Sequence, residues 1–198
     1  MPGADVESRL ANAAFRLLGK EPWTRVTLAS VARAAKVSSD DLLRAAPSRT
    51  ALIGLMLRRA AADTTKRYRP DQTLNPRERI FDTIMSWFEA QSSRKEAIRS
   101  LYDGLRREPL TLVMLRGEFV GAAEWLLALA EADAGAASSV RAACIGGVVA
   151  HVLPVWLSDD EDMGKTMGQL DRDLRRVERF LWPAEKPRQK AHRKSRSH

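Results

Sequence analysis

The stretch Thr27–Ala46, TLASVARAAKVSSDDLLRAA, holds two short segments of helical periodicity separated by a turn. Thr27 is placed to cap the first, whose apolar face is Leu28, Val31, Ala32 and Ala35. Ser38, with Asp41 three positions on, is placed to start the second in a near capping box. Two helices of about eight residues around a turn of about four have helix-turn-helix proportions. Upstream, Leu10, Ala13, Ala14, Leu17 and Leu18 share one helical face, and Gly19 and Pro22 end that helix. Downstream, Pro47 or Ser48 opens a fourth helix through Leu52, Leu55, Met56 and Ala60, ending near Tyr68.

The same period continues to the C-terminus, and no β-branched alternation is sustained. RPDQTLNP (Arg69–Pro76), with two prolines and little to bury, is a boundary between segments. A fifth helix buries Ile80, Phe81, Ile84, Trp87 and Phe88. Ser93 with Glu96 predicts a capping box for a sixth, which buries Ile98, Leu101, Tyr102 and Leu105. Pro109 opens a long seventh, reaching Leu129 through Phe119 and Trp125. GAASS (Gly135–Ser139) separates it from an Ala- and Gly-rich eighth, and SDDED (Ser158–Asp162) predicts the start of a ninth. The expected architecture is all-α, with nine helices. The ninth carries a seam, Met163, Met167, Leu170, Leu174, Val177 and Leu181, spaced 4, 3, 4, 3 and 4. With the small residues of the eighth, Gly147 among them, this seam predicts a two-fold homodimer interface; the alternative is that both helices pack on their own chain.

Composition removes several classes. The chain has 198 residues, 44% hydrophobic and 29% charged, enough to bury a core without staples and too apolar for disorder. Cys144 is the one cysteine, in an apolar stretch, and reads as an inert thiol in a reducing compartment. The near-apolar run Ile145–Leu157 has 13 residues, short of a bilayer span, and MPGADVESRL lacks the pattern of a signal peptide. The expectation is a cytoplasmic protein. Of the formal charge of +8, +5 lies in the last sixteen residues, which contain six Lys/Arg and one acid. That segment, 183–198, reads as a disordered basic tail. The first fifty residues hold eight Lys/Arg and five acids, a modest +3 that is compatible with touching DNA.

From Leu10 to Leu52 the sequence resembles the TetR family of regulators. Ala13-Ala14 and Leu17-Leu18 match the family's first helix, Thr27 its helix-two threonine and Val31-Ala32 its Ile-Ala pair. Ala35-Lys36-Val37-Ser38 stands where the family has Ala-Gly-Val-Ser. Leu42, then Pro47-Ser48-Arg49-Thr50-Ala51-Leu52, match the recognition-helix core and the entry to helix four. The departures are specific: Lys36 replaces the usual turn glycine, Leu43 and Ala45 replace side chains that grip phosphates, and Ala46 replaces an anchoring Phe. Asp40 and Asp41 open the recognition helix, where they oppose a polyanion unless they cap, face away or read cytosine amino groups. The resemblance implies a DNA-binding domain over 1–50 and a ligand-binding, dimerising domain over 51–182. Arg25, Thr27, Arg33, Lys36, Ser38, Ser39, Arg44 and Arg49 are then the expected DNA contacts, with Arg44 the candidate for a base edge.

The C-terminal part also resembles the ubiquinone-biosynthesis lipid-binding protein family, through Asp159, Asp160, Thr166, Leu170, Asp171 and Leu174. That likeness implies an alternative: an accessory protein with this fold that carries a lipid or isoprenoid and does not bind DNA. Either resemblance implies a small apolar or lipid-like ligand, with Trp87, Phe88, Tyr102, Phe119, Trp125, His151 and Trp156 as candidate lining residues; plain core is the alternative for each. Leu101 and Met114 belong to the same candidate set. His151, three residues before Pro154, reads as a satisfied core histidine or a ligand contact. Paired-histidine metal spacing, a Gly-rich phosphate loop and a G-x-S-x-G elbow are all missing from the sequence, so neither an enzyme nor a metal or cofactor protein is expected.

Overall fold

The computed structural model describes residues 2–132 and 138–181. Among the described residues the chain forms ten α-helices and one 3-10 turn, with no strand. They are α1 (Pro2–Leu18), α2 (Leu28–Ala35), α3 (Ser39–Ala45), α4 (Arg49–Arg67) and α5 (Pro76–Ala90). After the 3-10 turn Ser92–Arg94 come α6 (Lys95–Leu105), α7 (Pro109–Met114), α8 (Arg116–Leu129), α9 (Ser138–Ser158) and α10 (Gly164–Leu181). The all-α class is as expected and the helix count is one higher. The tail at 183–198 and most of the GAASS segment lie outside the described residues.

Local signals start α2, α3 and α4 where they were read. Thr27 Oγ1 accepts from Ser30 N and Ser30 Oγ from Thr27 N, a complete capping box. Ser38 Oγ accepts from Asp41 N to start α3, and Ser48 Oγ accepts from Ala51 N to start α4. Asn75 and Glu78 form a reciprocal box at the start of α5, with Pro76 at the first helical position.

Three expected boundaries differ. The serine expected to cap α6, Ser93, instead lies in the 3-10 turn, and α6 starts after Arg94 without a side-chain cap. The long seventh helix is two: the chain turns at Leu115, which is fully buried while α7 stays at the surface. Leu115, at the break, belongs to the first core. Finally, SDDED does not open the last helix. α9 runs on to Ser158, and α10 starts at Gly164 after Met163, which has φ 52°.

Asp159 nevertheless caps α10 from across that loop. Its Oδ2 accepts from Thr166 N and from Thr166 Oγ1, both at 2.7 Å, and its side chain is 1% exposed. Burial pushes this carboxyl up, but the Thr166 and Asp160 hydrogen bonds and the Lys165 charge outweigh it and hold it below the usual carboxylate value. A depressed folded value contributes stability that is complete above the unfolded pKa of about 3.9 and is lost as pH falls through the folded one. Asp159→Ala is expected to cost about 2 kcal/mol at pH 7. Urea unfolding of the two proteins should converge as the pH is lowered below the carboxylate range; an equal gap at pH 7 and at pH 2 contradicts this role.

The helices enclose two cores. The first joins α1, α2, the start of α4, and Trp23, Ala97, Leu105 and Leu115. The second joins α5, α8, α9 and α10. The boundary expected between residues 50 and 51 falls inside the first turn of α4, whose Leu52–Met56 belong to the first core. The heptad seam is spent in the second: Leu170, Leu174 and Leu181 are at most 1% exposed, Met163 and Val177 pack against the same cluster, and Met167 alone is 40% exposed. This corrects the expected dimer seam. A heptad stripe identifies an apolar face but not its partner, and here the partner is the inner face of α9 and part of α5. Gly147 is exposed on the opposite side of α9. The stretch Ser139–Ser158 is long and apolar enough to cross a bilayer by length and composition, which corrects the shorter run read from the sequence. Ala142, Ile145, Val148, Val152 and Trp156 of that helix are core residues packed with α8 and α10.

Candidate nucleic-acid interface

The turn between α2 and α3 is built by Lys36, at φ 53° and ψ 49°. Its N–H donates to Arg33 O and the Val37 N–H donates to Ala32 O, which together make a Schellman ending to α2. A side chain in this left-handed conformation costs about 1 kcal/mol that glycine does not. Two arginines of α1 hold the turn in spite of it. Arg9 donates to Ala35 O at 2.7 Å and also to Lys36 O, and Arg16 donates to Ala34 O at 3.1 Å. Cationic groups at the carbonyl end of α2 also suit its dipole. Replacing Lys36 by Gly should raise the unfolding free energy by about 0.5–1 kcal/mol without changing the fold. Chemical denaturation checks this, and a destabilised variant contradicts a strained turn.

α3 buries none of its own residues fully; Leu42 and Ala45 rest against the first core, while Ser39, Asp40, Leu43 and Arg44 face solvent. Leu43 is 66% exposed. Asp41 accepts from Ser38 Oγ at 2.8 Å and from Arg44 Nη2 at 2.5 Å. Those bonds, Arg44's first, hold the Asp41 carboxyl below its usual range. Arg44, expected to reach a base edge, is therefore paired on its own helix. Arg49, expected on a phosphate, is folded inward: its guanidinium lies 3.8 Å over the Trp23 ring, and Nη2 donates to Trp23 O at 2.8 Å. Its Nη1 also lies 3.8 Å from Glu108. It fastens the α1–α2 loop to α4 and α7.

The other expected contacts, Arg25, Thr27, Arg33, Lys36, Ser38 and Ser39, are all exposed, with Thr27 and Ser38 already engaged as caps. Sequence reasoning missed the exposure of Leu43 and the clamp by Arg9 and Arg16. The spacing of seven puts those two arginines on one face of α1, a signal that was legible.

The expected ligand lining is dispersed. Phe88 and Trp156 are core, with ring centroids 5.1 Å apart, and Trp87 packs edge-on to Phe88 at 5.2 Å. Trp125 and Tyr102 are half-buried against the same cluster, and Phe119 is 37% exposed. His151 is not a core residue: its exposed ring bonds Asp173 Oδ2 through Nδ1 at 2.6 Å. Asp173 is raised by burial, but Gln169 and His151 hydrogen bonds and the charges of His151 and Arg176 bring it below its usual value. Two open clefts of about 380 and about 640 Å³ flank α1 and α6, lined by residues such as Trp23, Ser100 and Gly104 or Asn12, Arg16 and Ser93, and by none of these seven candidates.

Among solved structures, the chain is similar to a TetR transcriptional regulator from Rhodococcus sp. RHA1, with a TM-score of 0.67. The match covers 94% of this chain and 100% of that one at 15% identity, a likeness that shows the TetR-like all-α fold. No family model and no curated protein matches the chain.

Proposed function

We propose that this chain is a cytoplasmic transcriptional regulator that binds duplex DNA as a homodimer, placing α3 of each protomer in a major groove. The observation that carries the reading is the α2–α3 unit: two capped helices, a clamped left-handed turn and an α3 whose outer face is free of the core. The overall fold, like that of a solved transcriptional regulator, supports it. Arg25, Arg33 and Lys36 are the exposed cations available for phosphates. Three such contacts per protomer give a dimer a slope of log K against log salt of about −5. Fluorescence anisotropy on duplexes from the chain's own upstream region, titrated over salt, tests this. A steep slope with preference over random duplex supports the reading, and indifference to all duplexes removes it.

The dimer surface in this proposal is the outer face of α9, where Val140, Ala143, Gly147 and Ala150 are exposed. Small residues let a second α9 approach closely. A side chain built on Gly147 meets nothing within 4 Å in its own chain, so Gly147→Glu leaves the protomer intact. Sedimentation velocity should show the wild type as a dimer and Gly147→Glu as a monomer, with unchanged helical content. A dimeric variant places the interface elsewhere. The effector in this reading is a small apolar molecule that parts α5, α8 and α9, where Trp87, Trp125 and Phe119 retain exposure.

A further inference from the structure

We infer that Leu43 is a sequence-reading residue and that each DNA half-site presents a thymine methyl group to it. The inference rests on the DNA reading above and names the base chemistry at that surface. α3 offers a groove a short list of side chains. Arg49 is turned inward onto Trp23 and Glu108, and in the unbound chain Arg44 lies against Asp41 on its own helix. Ser39 and Asp40 precede Leu43 by four and three positions and so share its face of the helix, and all three are exposed. Leu43 stands where the resemblance implies a phosphate-gripping side chain, but a leucine has nothing with which to bond a phosphate; at 66% exposed it is the large apolar side chain that α3 leaves in water, whereas Leu42 beside it rests on the first core. On the major-groove edges of the four base pairs, the one methyl group is the C5 methyl of thymine; cytosine shows a bare C5–H there, and the other features are hydrogen-bond donors and acceptors. A leucine gains by covering that methyl and loses by covering a donor or acceptor that it cannot satisfy. Specificity at this position is therefore for an A·T pair with thymine under Leu43.

The test uses the full chain and a pool of duplexes with a randomised central region. After selection, the enriched duplex is remade with each conserved thymine replaced by deoxyuridine, which removes the methyl and leaves the pairing edges unchanged. The expected result is a conserved thymine in each half-site and a loss of about fourfold in affinity for each one replaced, as for one buried methylene-sized group. Leu43→Ala, at an exposed position that the fold does not need, should bind the thymine duplex about fourfold more weakly per half-site and no longer distinguish it from the deoxyuridine duplex. Equal binding of both duplexes by the wild type, or methyl sensitivity retained by Leu43→Ala, overturns the inference while DNA binding stands. A pool from which nothing is enriched removes the DNA reading itself, and this inference with it.

Discussion

Leu170→Glu is expected to abolish folding of the C-terminal bundle, and not to release a folded monomer. Leu170 has no exposed surface and packs in the cluster that joins α5, α8, α9 and α10. The substitution removes a buried leucine, worth about 2–5 kcal/mol on truncation alone, and places an unpaired carboxylate in apolar surroundings. Their sum is comparable with the whole stability of a domain of this size, about 5–15 kcal/mol. Far-UV circular dichroism should show lost helix at 25 °C, and Leu170→Ala should show a lower unfolding midpoint with helix retained. A soluble, fully helical Leu170→Glu monomer would mean that α10 meets a partner chain at this position, as the heptad spacing suggested. Gly147→Glu probes the opposite face of the same helix pair, so the two variants separate a core residue from a subunit contact.

Trp23→Ala should cost about 3–5 kcal/mol and weaken any DNA binding with it. Trp23 lies in the α1–α2 loop, is 1% exposed, and fits where α6 has no side chain. A Cβ built on Gly104 would stand 2.5 Å from Trp23 Cδ1. Its ring carries the Arg49 guanidinium, and its carbonyl accepts from the same group. One side chain thus joins the helix-turn-helix to α4 and α6, and removing it frees Arg49 beside Glu108. Gly104→Ala attacks the same contact from the other side and should cost about 1–3 kcal/mol through overpacking. Urea unfolding of both variants checks the assignment. If both melt with the wild type, the head is not fastened through Trp23.

What the sequence made legible was local. Thr27, Ser38 and Ser48 act on amides three positions away, so their caps are written within one turn of chain. The apolar period of α2 and of α4 was equally readable, because burial of one face needs no knowledge of the partner. The features that were not legible depend on distant residues. Lys36 takes a glycine's conformation because Arg9 and Arg16, some 20 or more positions earlier, hold the carbonyls around it. An otherwise continuous apolar helix breaks at Leu115, which belongs to a core formed by other segments. Asp159 caps a helix that begins five residues later, so the acidic run looked like the helix start itself.

The candidate site divides in the same way. The helix-turn-helix was readable from its spacing; the Asp41–Arg44 pair, three positions apart on one helix, was missed because Arg44 was read as a base contact. The withdrawal of Arg49 was not readable, because Trp23 is 26 positions earlier. Nor was the fate of the aromatic residues: Phe88 and Trp156 have the spacing of a core and of a cavity wall alike, and only their ring-to-ring packing decides.

Hydrogen–deuterium exchange of the full chain, alone and with a selected duplex at low salt, tests the central claim most directly. If α3 enters the groove, peptides spanning residues 27–46 exchange more slowly in the complex, while those of α10 keep their rates. Unchanged exchange across 27–46 with duplex bound, or protection found only elsewhere, would contradict the placement of α3 on DNA.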